Sequence, residues 1–165
     1  MQKINQKYIN NLVFKALEED LKPNGDITTK LLNSKNKIVQ AKIISKQNGI
    51  ISGIDFCKAA FKILEKNSKF SPRIKDGEKI KKNQIIAKIT AKAKTILIAE
   101  RTALNFLNHA SGISTITNKY VSKVKNKTKI CCTRKTTPNL RLFEKYAVKK
   151  GGGYNHRYNL SDEVL

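Results

Sequence analysis

The segment from Lys129 to Arg157 constrains the fold of this 165-residue chain more than any other. Lys129–Cys132 is a short apolar stretch of strand character. The polar run Thr133-Arg134-Lys135-Thr136-Thr137 follows it, and Pro138 is suited to the first turn of a helix reaching about Lys150. Gly151-Gly152-Gly153 then ends that helix, in the manner of a C-cap, and Asn155-His156-Arg157 lies in the next loop. Strand, loop, helix and loop in this order make one βα unit, and such a unit buries its faces only by stacking on further units or on another layer.

The preceding hundred residues have a different character. Residues 4–21 carry apolar positions at helical spacing, and Pro23 with Asn24-Gly25 ends that helix. Residues 37–45 alternate as a strand and are followed by a turn at Gly49. Asp55 is read as the N-cap of a helix through Leu64. Residues 70–98 read as β structure, with strand runs at Ile85–Ile89 and Thr95–Ile98 and a turn at Asp76-Gly77. A long helical pattern covers 99–125, with an interruption expected near Ser111-Gly112. Leu160–Leu165 reads as a turn entering a strand. The fold class is α/β, divided into an N-terminal unit at 1–109 and the beginning of a βα repeat at 110–165. A closed α/β barrel needs on the order of 200 residues or more. The expectation is therefore an incomplete barrel, a fragment or a partner-dependent chain.

Charge and composition narrow the function. The formal net charge is +22. Only five of the 34 basic residues are arginines, Arg73, Arg101, Arg134, Arg141 and Arg157, while lysines are spread from Lys3 to Lys150. Dispersed lysine is a solvated surface, whereas arginine supplies the planar fork that grips carboxylate or phosphate. That distribution argues against a nucleic-acid-binding module, which would cluster its cations among exposed aromatics. No stretch has the roughly 20 apolar residues of a membrane-spanning helix, and the first residues lack the apolar core of a secretory signal. Cys57, Cys131 and Cys132 form neither an even disulfide set nor a C-x-x-C metal pair, so a cytoplasmic setting is expected. The visible chemistry is cationic: Arg134 and Lys135 with the hydroxyls of Thr133, Thr136 and Thr137 at a strand end and a helix N-terminus make an anion site. Neither a carboxylate pair nor a Ser-His-Asp arrangement can be read from the spacing, and His109 is read as a packing or surface residue.

Three stretches together resemble quinolinate phosphoribosyltransferase. They are Leu17-Glu18-Glu19-Asp20-Leu21 with Gly25-Asp26-Ile27-Thr28-Thr29; Ala99-Glu100-Arg101-Thr102-Ala103-Leu104-Asn105-Phe106-Leu107 with Ser111-Gly112-Ile113; and Thr133–Pro138 with Glu144-Lys145-Tyr146-Ala147-Val148, Gly151-Gly152-Gly153 and Asn155-His156-Arg157. The resemblance implies a type II phosphoribosyltransferase, with an N-terminal α/β sandwich domain followed by an open α/β barrel that is truncated here. It implies conversion of quinolinate and phosphoribosyl pyrophosphate to nicotinate mononucleotide, pyrophosphate and CO2, with Mg2+, in NAD biosynthesis. It also implies a homodimer with shared active sites. The quinolinate-binding residues it implies are Arg101, Thr133, Arg134, Lys135, His156 and Arg157, with Arg101 reaching the neighbouring subunit's site. No residue of this segment is assigned a catalytic step or a metal ligand; the resemblance puts the metal-binding acids beyond Leu165, so this chain alone is expected to be inactive. Cys132 stands where many relatives have Asp, Asn83 and Ala91 where glycines are expected, and Asn159 where a glycine commonly follows the His-Arg pair. The alternatives are the related phosphoribosyltransferase-like protein of molybdenum transport operons, and a non-catalytic fragment that binds anions or nucleic acid.

Overall fold

The computed structural model describes residues 4–125, 127–162 and 164. In chain order the elements are α1 (Gln6–Leu21), α2 (Ile27–Lys30), β1 (Ile38–Ile44), β2 (Gly49–Ile50), α3 (Ile54–Leu64), β3 (Lys69–Pro72), β4 (Lys79–Ile80), β5 (Ile85–Lys92), α4 (Ala93–Val124) and α5 (Arg141–Lys150). The larger sheet is antiparallel with order β1-β5-β3, and β2 pairs with β4 in a second, two-stranded sheet. Strand order explains burial. The edge strand β1 alternates exposed and half-buried residues, while the central β5 buries Ile86, Ala87, Ile89 and Ala91. Asn83, at φ 67°, takes the left-handed turn before β5, a conformation asparagine tolerates better than most residues.

One hydrophobic core runs through the described chain. It joins Ile9, Val13 and Leu17 of α1, Phe56, Cys57 and Phe61 of α3, Ile86 and Ile89 of β5, Ala103, Phe106 and Leu107 of α4, and Phe143 and Ala147 of α5. Phe56, Phe106 and Phe143 touch ring to ring, with centroids 4.7–5.6 Å apart. The long helix α4 is the hub. Thr102 donates to Asp20 of α1 (2.9 Å), the Thr115 hydroxyl accepts from the Ile50 amide (2.9 Å), and Ser114 donates to the Ala147 carbonyl of α5 (2.7 Å).

Several expectations change. α4 is continuous, so the interruption expected at Ser111-Gly112 does not exist; Gly112 sits on an exposed helix face and leaves the hydrogen-bond ladder intact. Thr95–Ile98 is not a strand but the start of α4. There the Glu65 carboxylate accepts from the Lys92 amide (3.0 Å) and the Thr95 hydroxyl (2.7 Å), capping a helix start that β-branched residues disguise. Asp55 is not the N-cap of α3. Gly53 occupies that position at φ 96°, and Asp76, 23 residues away from it, accepts from the Gly53 and Ile54 amides. Gly49 is not a turn but opens β2. Pro138 precedes α5, whose first residue is Arg141, because a turn with Asn139 at φ 65° intervenes. The strand read at Lys129–Cys132 is reduced to one parallel bridge, Cys131 to Tyr154, since these two short segments are its whole ladder among the described residues. Leu160–Asp162 form bends; the strand expected to follow falls largely outside the described residues.

Candidate active site

A minimal parallel pairing builds the site. The Tyr154 amide donates to the Ile130 carbonyl (2.8 Å) and the Cys132 amide to the Tyr154 carbonyl (2.9 Å), with α5 as the crossover between them. Both segments therefore end side by side, which brings Thr133–Thr137 next to Asn155–Arg157. The carboxyl ends of parallel strands are where α/β folds bind ligands.

The glycine run lets α5 lie close against α4. The Gly153 amide reaches the Val148 carbonyl (3.0 Å) and the Gly152 amide the Lys149 carbonyl (3.1 Å), a Schellman closure with Gly152 at φ 90°. The expected C-cap role is thus filled by Gly152. Gly151 and Gly153 serve a different need, because side-chain atoms of Thr117 lie 2.7 Å and 2.8 Å from where their Cβ atoms would stand.

Local bonds fix the loop. The Thr133 hydroxyl accepts from the Lys135 amide (3.1 Å), and the Thr136 hydroxyl from Arg141 Nε (3.2 Å). Arg141 also donates through Nη1 to the Tyr158 carbonyl (2.9 Å), stitching the 133–137 loop to the segment after His156-Arg157. Glu144 accepts from the Thr137 amide (3.2 Å) and pairs with His109 at 3.1 Å. His109 therefore packs on Phe143 and meets Glu144 as well, a more specific role than surface filling. A cavity of about 310 Å3 opens here, lined among others by His109, Thr133, Lys135, Thr136, Thr137 and Lys145.

The sequence-derived site residues are distributed as follows. Thr133 and Lys135 line this cavity; Arg134, His156, Arg157 and Arg101 are not among its lining residues. Arg134 is half-buried in the loop between two lining residues, and its Nε is buried without a hydrogen-bond partner among the described residues. His156 accepts the Arg157 amide on Nδ1 (2.7 Å), so a neutral ring carries its proton on Nε2. Arg101 is exposed on α4, eight residues before His109, about 12 Å along the helix axis at 1.5 Å per residue. Lys145 and Arg141 were missed as site builders. Their signal was available: two cations four apart, on the helix that crosses over between the two loops.

A larger cavity, about 960 Å3, lies elsewhere, between α1, α4 and the start of α5. Its wall is mainly apolar, and its charged residues include Glu19 and Asp20, the wrong sign for an anion. Among the described residues no group of three or more His, Cys, Asp or Glu side chains could share a metal ion, and no helix is long and apolar enough to cross a membrane.

Known proteins resemble this chain over most of its length. Residues 26–111 match the quinolinate phosphoribosyl transferase N-terminal domain, and residues 113–165 its C-terminal domain. A probable nicotinate-nucleotide pyrophosphorylase (carboxylating) of Bacillus subtilis is 39% identical over 142 residues, covering 86% of this chain and 49% of the relative. A protein of the same description from Methanocaldococcus jannaschii is 42% identical over 161 residues, covering 96% and 55%. Among solved structures, the Francisella tularensis nicotinate-nucleotide pyrophosphorylase superposes with a TM-score of 0.91 at 38% identity, covering 97% of this chain and 57% of that one. NadC from Streptococcus pyogenes gives a TM-score of 0.95 at 35% identity, covering 99% and 58%. The chain spans about half the length of the curated relatives it matches.

Proposed function

The chain belongs to the quinolinate phosphoribosyltransferase family, and from that premise we propose that it carries the quinolinate-gripping part of an enzyme of NAD biosynthesis. The reaction joins quinolinate to phosphoribosyl pyrophosphate and releases pyrophosphate and CO2, leaving nicotinate mononucleotide. The observation that carries this reading is the buried Nε of Arg134, which lacks a hydrogen-bond acceptor at the strand end beside His156 and Arg157. A buried guanidinium donor left open is costly, and a carboxylate is the group that answers its fork geometry.

Quinolinate offers two adjacent carboxylates. Arg134, Lys135 and Arg157 supply fixed positive charge, and the Thr133 hydroxyl and the His156 ring add hydrogen bonding. When one carboxylate leaves as CO2, its bonding electron pair stays on the ring carbon. Preorganised cations stabilise that charge without reorganising. Arg101, exposed on α4, is proposed to serve the site of a second copy in a homodimer. A boundary between an N-terminal unit at 1–109 and a barrel unit at 110–165 would fall inside α4, which would hold the two together. A cytoplasmic setting is proposed for a chain whose three cysteines are free thiols. Mg2+ is proposed as the cofactor, although among the described residues no group of three or more His, Cys, Asp or Glu side chains could hold it.

Calorimetric titration with quinolinate tests the assignment. The chain should bind it, and Arg134→Ala and Arg157→Ala should each weaken binding by about 10- to 100-fold, as expected for losing a charge-assisted hydrogen bond. Circular dichroism should remain unchanged. Binding that survives both substitutions would sink the pocket assignment. Formation of nicotinate mononucleotide by the protein at its full natural length tests turnover.

A further inference from the structure

One carboxylate ties three segments together. Asp76, in the turn between β3 and β4, accepts through Oδ2 from the Gly53 amide (3.0 Å) and the Tyr146 hydroxyl (2.7 Å). Its Oδ1 accepts from the Ile54 amide (3.1 Å). The same side chain therefore caps α3 and holds α5 from 70 residues away. Burial above all, with the adjacent Asp76 carboxylate, pushes the Tyr146 phenol above its ordinary value of 10.0, so it stays a neutral donor. The next residue adds to the contact. A Cβ at Gly77 would stand 3.4 Å from the Lys150 carbonyl oxygen, so the turn lies against the end of α5. Lys150 in turn places its ammonium 5.2 Å from the Tyr146 ring centroid.

The two faces of α5 have different duties. By helical spacing Glu144, Lys145 and Val148 share the face that lines the 310 Å3 cavity. Phe143, Tyr146 and Lys150 share the opposite face, turned to the N-terminal elements. From the cavity face Glu144 accepts from the Thr137 amide and Lys145 donates to the His156 carbonyl (2.6 Å), so both loops of the anion site hang on this helix. Phenylalanine at position 146 would fill the same space, and a buried hydroxyl is unfavourable unless bonded. What the hydroxyl adds is direction, which apolar contacts do not supply. Ser114 of α4 fixes α5 at the Ala147 carbonyl, and the Asp76 bond fixes it from a second side. A rotation of about 10° moves groups at the helix's outer radius of about 5–6 Å by about 1 Å. That shift carries a 2.6 Å hydrogen bond beyond bonding distance.

We propose that Asp76 and Tyr146 are positioning residues of the anion site, whose hydrogen bond sets the rotation of α5 and so couples the cap of α3 to the placement of the two ligand loops. Neither side chain is among those lining the cavity. The inference rests on the function proposed above and deepens it, making ligand affinity depend on a contact outside the site. Such coupling is reciprocal, so a ligand that favours one placement of α5 also favours the Asp76 bonds.

The test is calorimetry well below the melting transition, with quinolinate and with phthalate (a vicinal dicarboxylate without the ring nitrogen). It compares the unsubstituted chain with Tyr146→Phe, Asp76→Ala and the double variant. Tyr146→Phe should weaken quinolinate binding by about three- to ten-fold, within the worth of one hydrogen bond to a charged group. Asp76→Ala should weaken it at least as much, and the double variant no further, because each substitution removes the same bond. Hydrogen exchange of the Gly53 and Ile54 amides supplies the second readout. Saturating quinolinate should slow it several-fold in the unsubstituted chain and leave it unchanged in Tyr146→Phe. A merely structural pair predicts a lower melting temperature with unaltered affinity and no ligand response at those amides, and that result would overturn the inference. Additive losses in the double variant would overturn it too. If Asp76→Ala does not fold, Tyr146→Phe and the exchange measurement still decide. Quinolinate binding that Arg134→Ala weakens and Tyr146→Phe does not sinks this inference and leaves the proposed function standing. Tyr146-dependent binding of phthalate without binding of quinolinate does the reverse, and failure to bind either sinks both.

Discussion

A methyl group at Gly151 would stand 2.7 Å from Thr117 Cβ and closer still to the Ser114 carbonyl oxygen, so glycine is required there by space. The backbone at Gly151 is ordinary, with φ −76°. Gly151→Ala should therefore force α5 away from α4 and cost about 1–3 kcal/mol, the range for overpacking. Gly112 makes the converse case, since a Cβ there meets nothing within 4 Å. Gly112→Ala should stabilise α4 by about 0.5–1 kcal/mol, the usual penalty of glycine within a helix. Denaturant midpoints of the two variants should move in opposite directions, and a neutral Gly151→Ala would show that the two helices are not held so closely. The glycine run was legible as a helix end because a C-cap is a local event. The close approach was not, because the atoms that forbid a side chain come from α4, more than 30 positions earlier. Lys145 was hidden for a related reason: a lysine reads as surface until its neighbours are known.

Helix boundaries show the same division between local and distant causes. α1 and α2 start just after Asn5 and Asp26, each of whose side chains caps the helix that follows it, a local signal. α3 and α4 are capped from afar, by Asp76 and Glu65, and there the sequence reading went astray. Glu65 also makes α4 sensitive to acid. The hydrogen bond from the Thr95 hydroxyl above all holds its carboxyl below the ordinary value of 4.5; burial opposes this, and the Lys92 amide and nearby lysine charges add to the lowering. A carboxyl with a lowered folded pKa contributes stability above its unfolded value, and that contribution fades as pH falls through the folded value. Glu65→Ala should cost about 1 kcal/mol at neutral pH, as for a lost N-cap. The gap between the two proteins should narrow as pH drops below 4.5, the ordinary value. Thermal melts of both proteins across that range check this, and a gap that widens in acid would contradict the remote cap.

At the scale of the molecule the family motifs were legible because each is built from contiguous runs, while the 960 Å3 cavity and the single core joining α1 to α5 were not, since they depend on how distant helices meet. Net charge is the other molecular property, and its consequence for stability depends on pairing. The sequence holds 34 Lys and Arg against 12 Asp and Glu. Among the described residues one Lys–carboxylate ion pair forms, Lys22–Glu18, and His109 meets Glu144 at 3.1 Å. Several acids are instead committed to backbone amides and hydroxyls, as Asp26, Glu65 and Asp76 are. Salt therefore has little attraction to weaken and much repulsion to screen. Repulsion among like charges destabilises a compact state. Adding chloride from about 50 to about 300 mM takes the screening length from above about 10 Å to below about 8 Å. The melting temperature should rise by a few degrees, at about 2–4 °C per kcal/mol for a chain of this size. Chloride is the appropriate salt, because sulfate would also occupy an anion site and stabilise by binding. A melting temperature that falls with chloride would mean that the lysines are held in attractive networks, and the reading of them as a dispersed, solvated surface would fail.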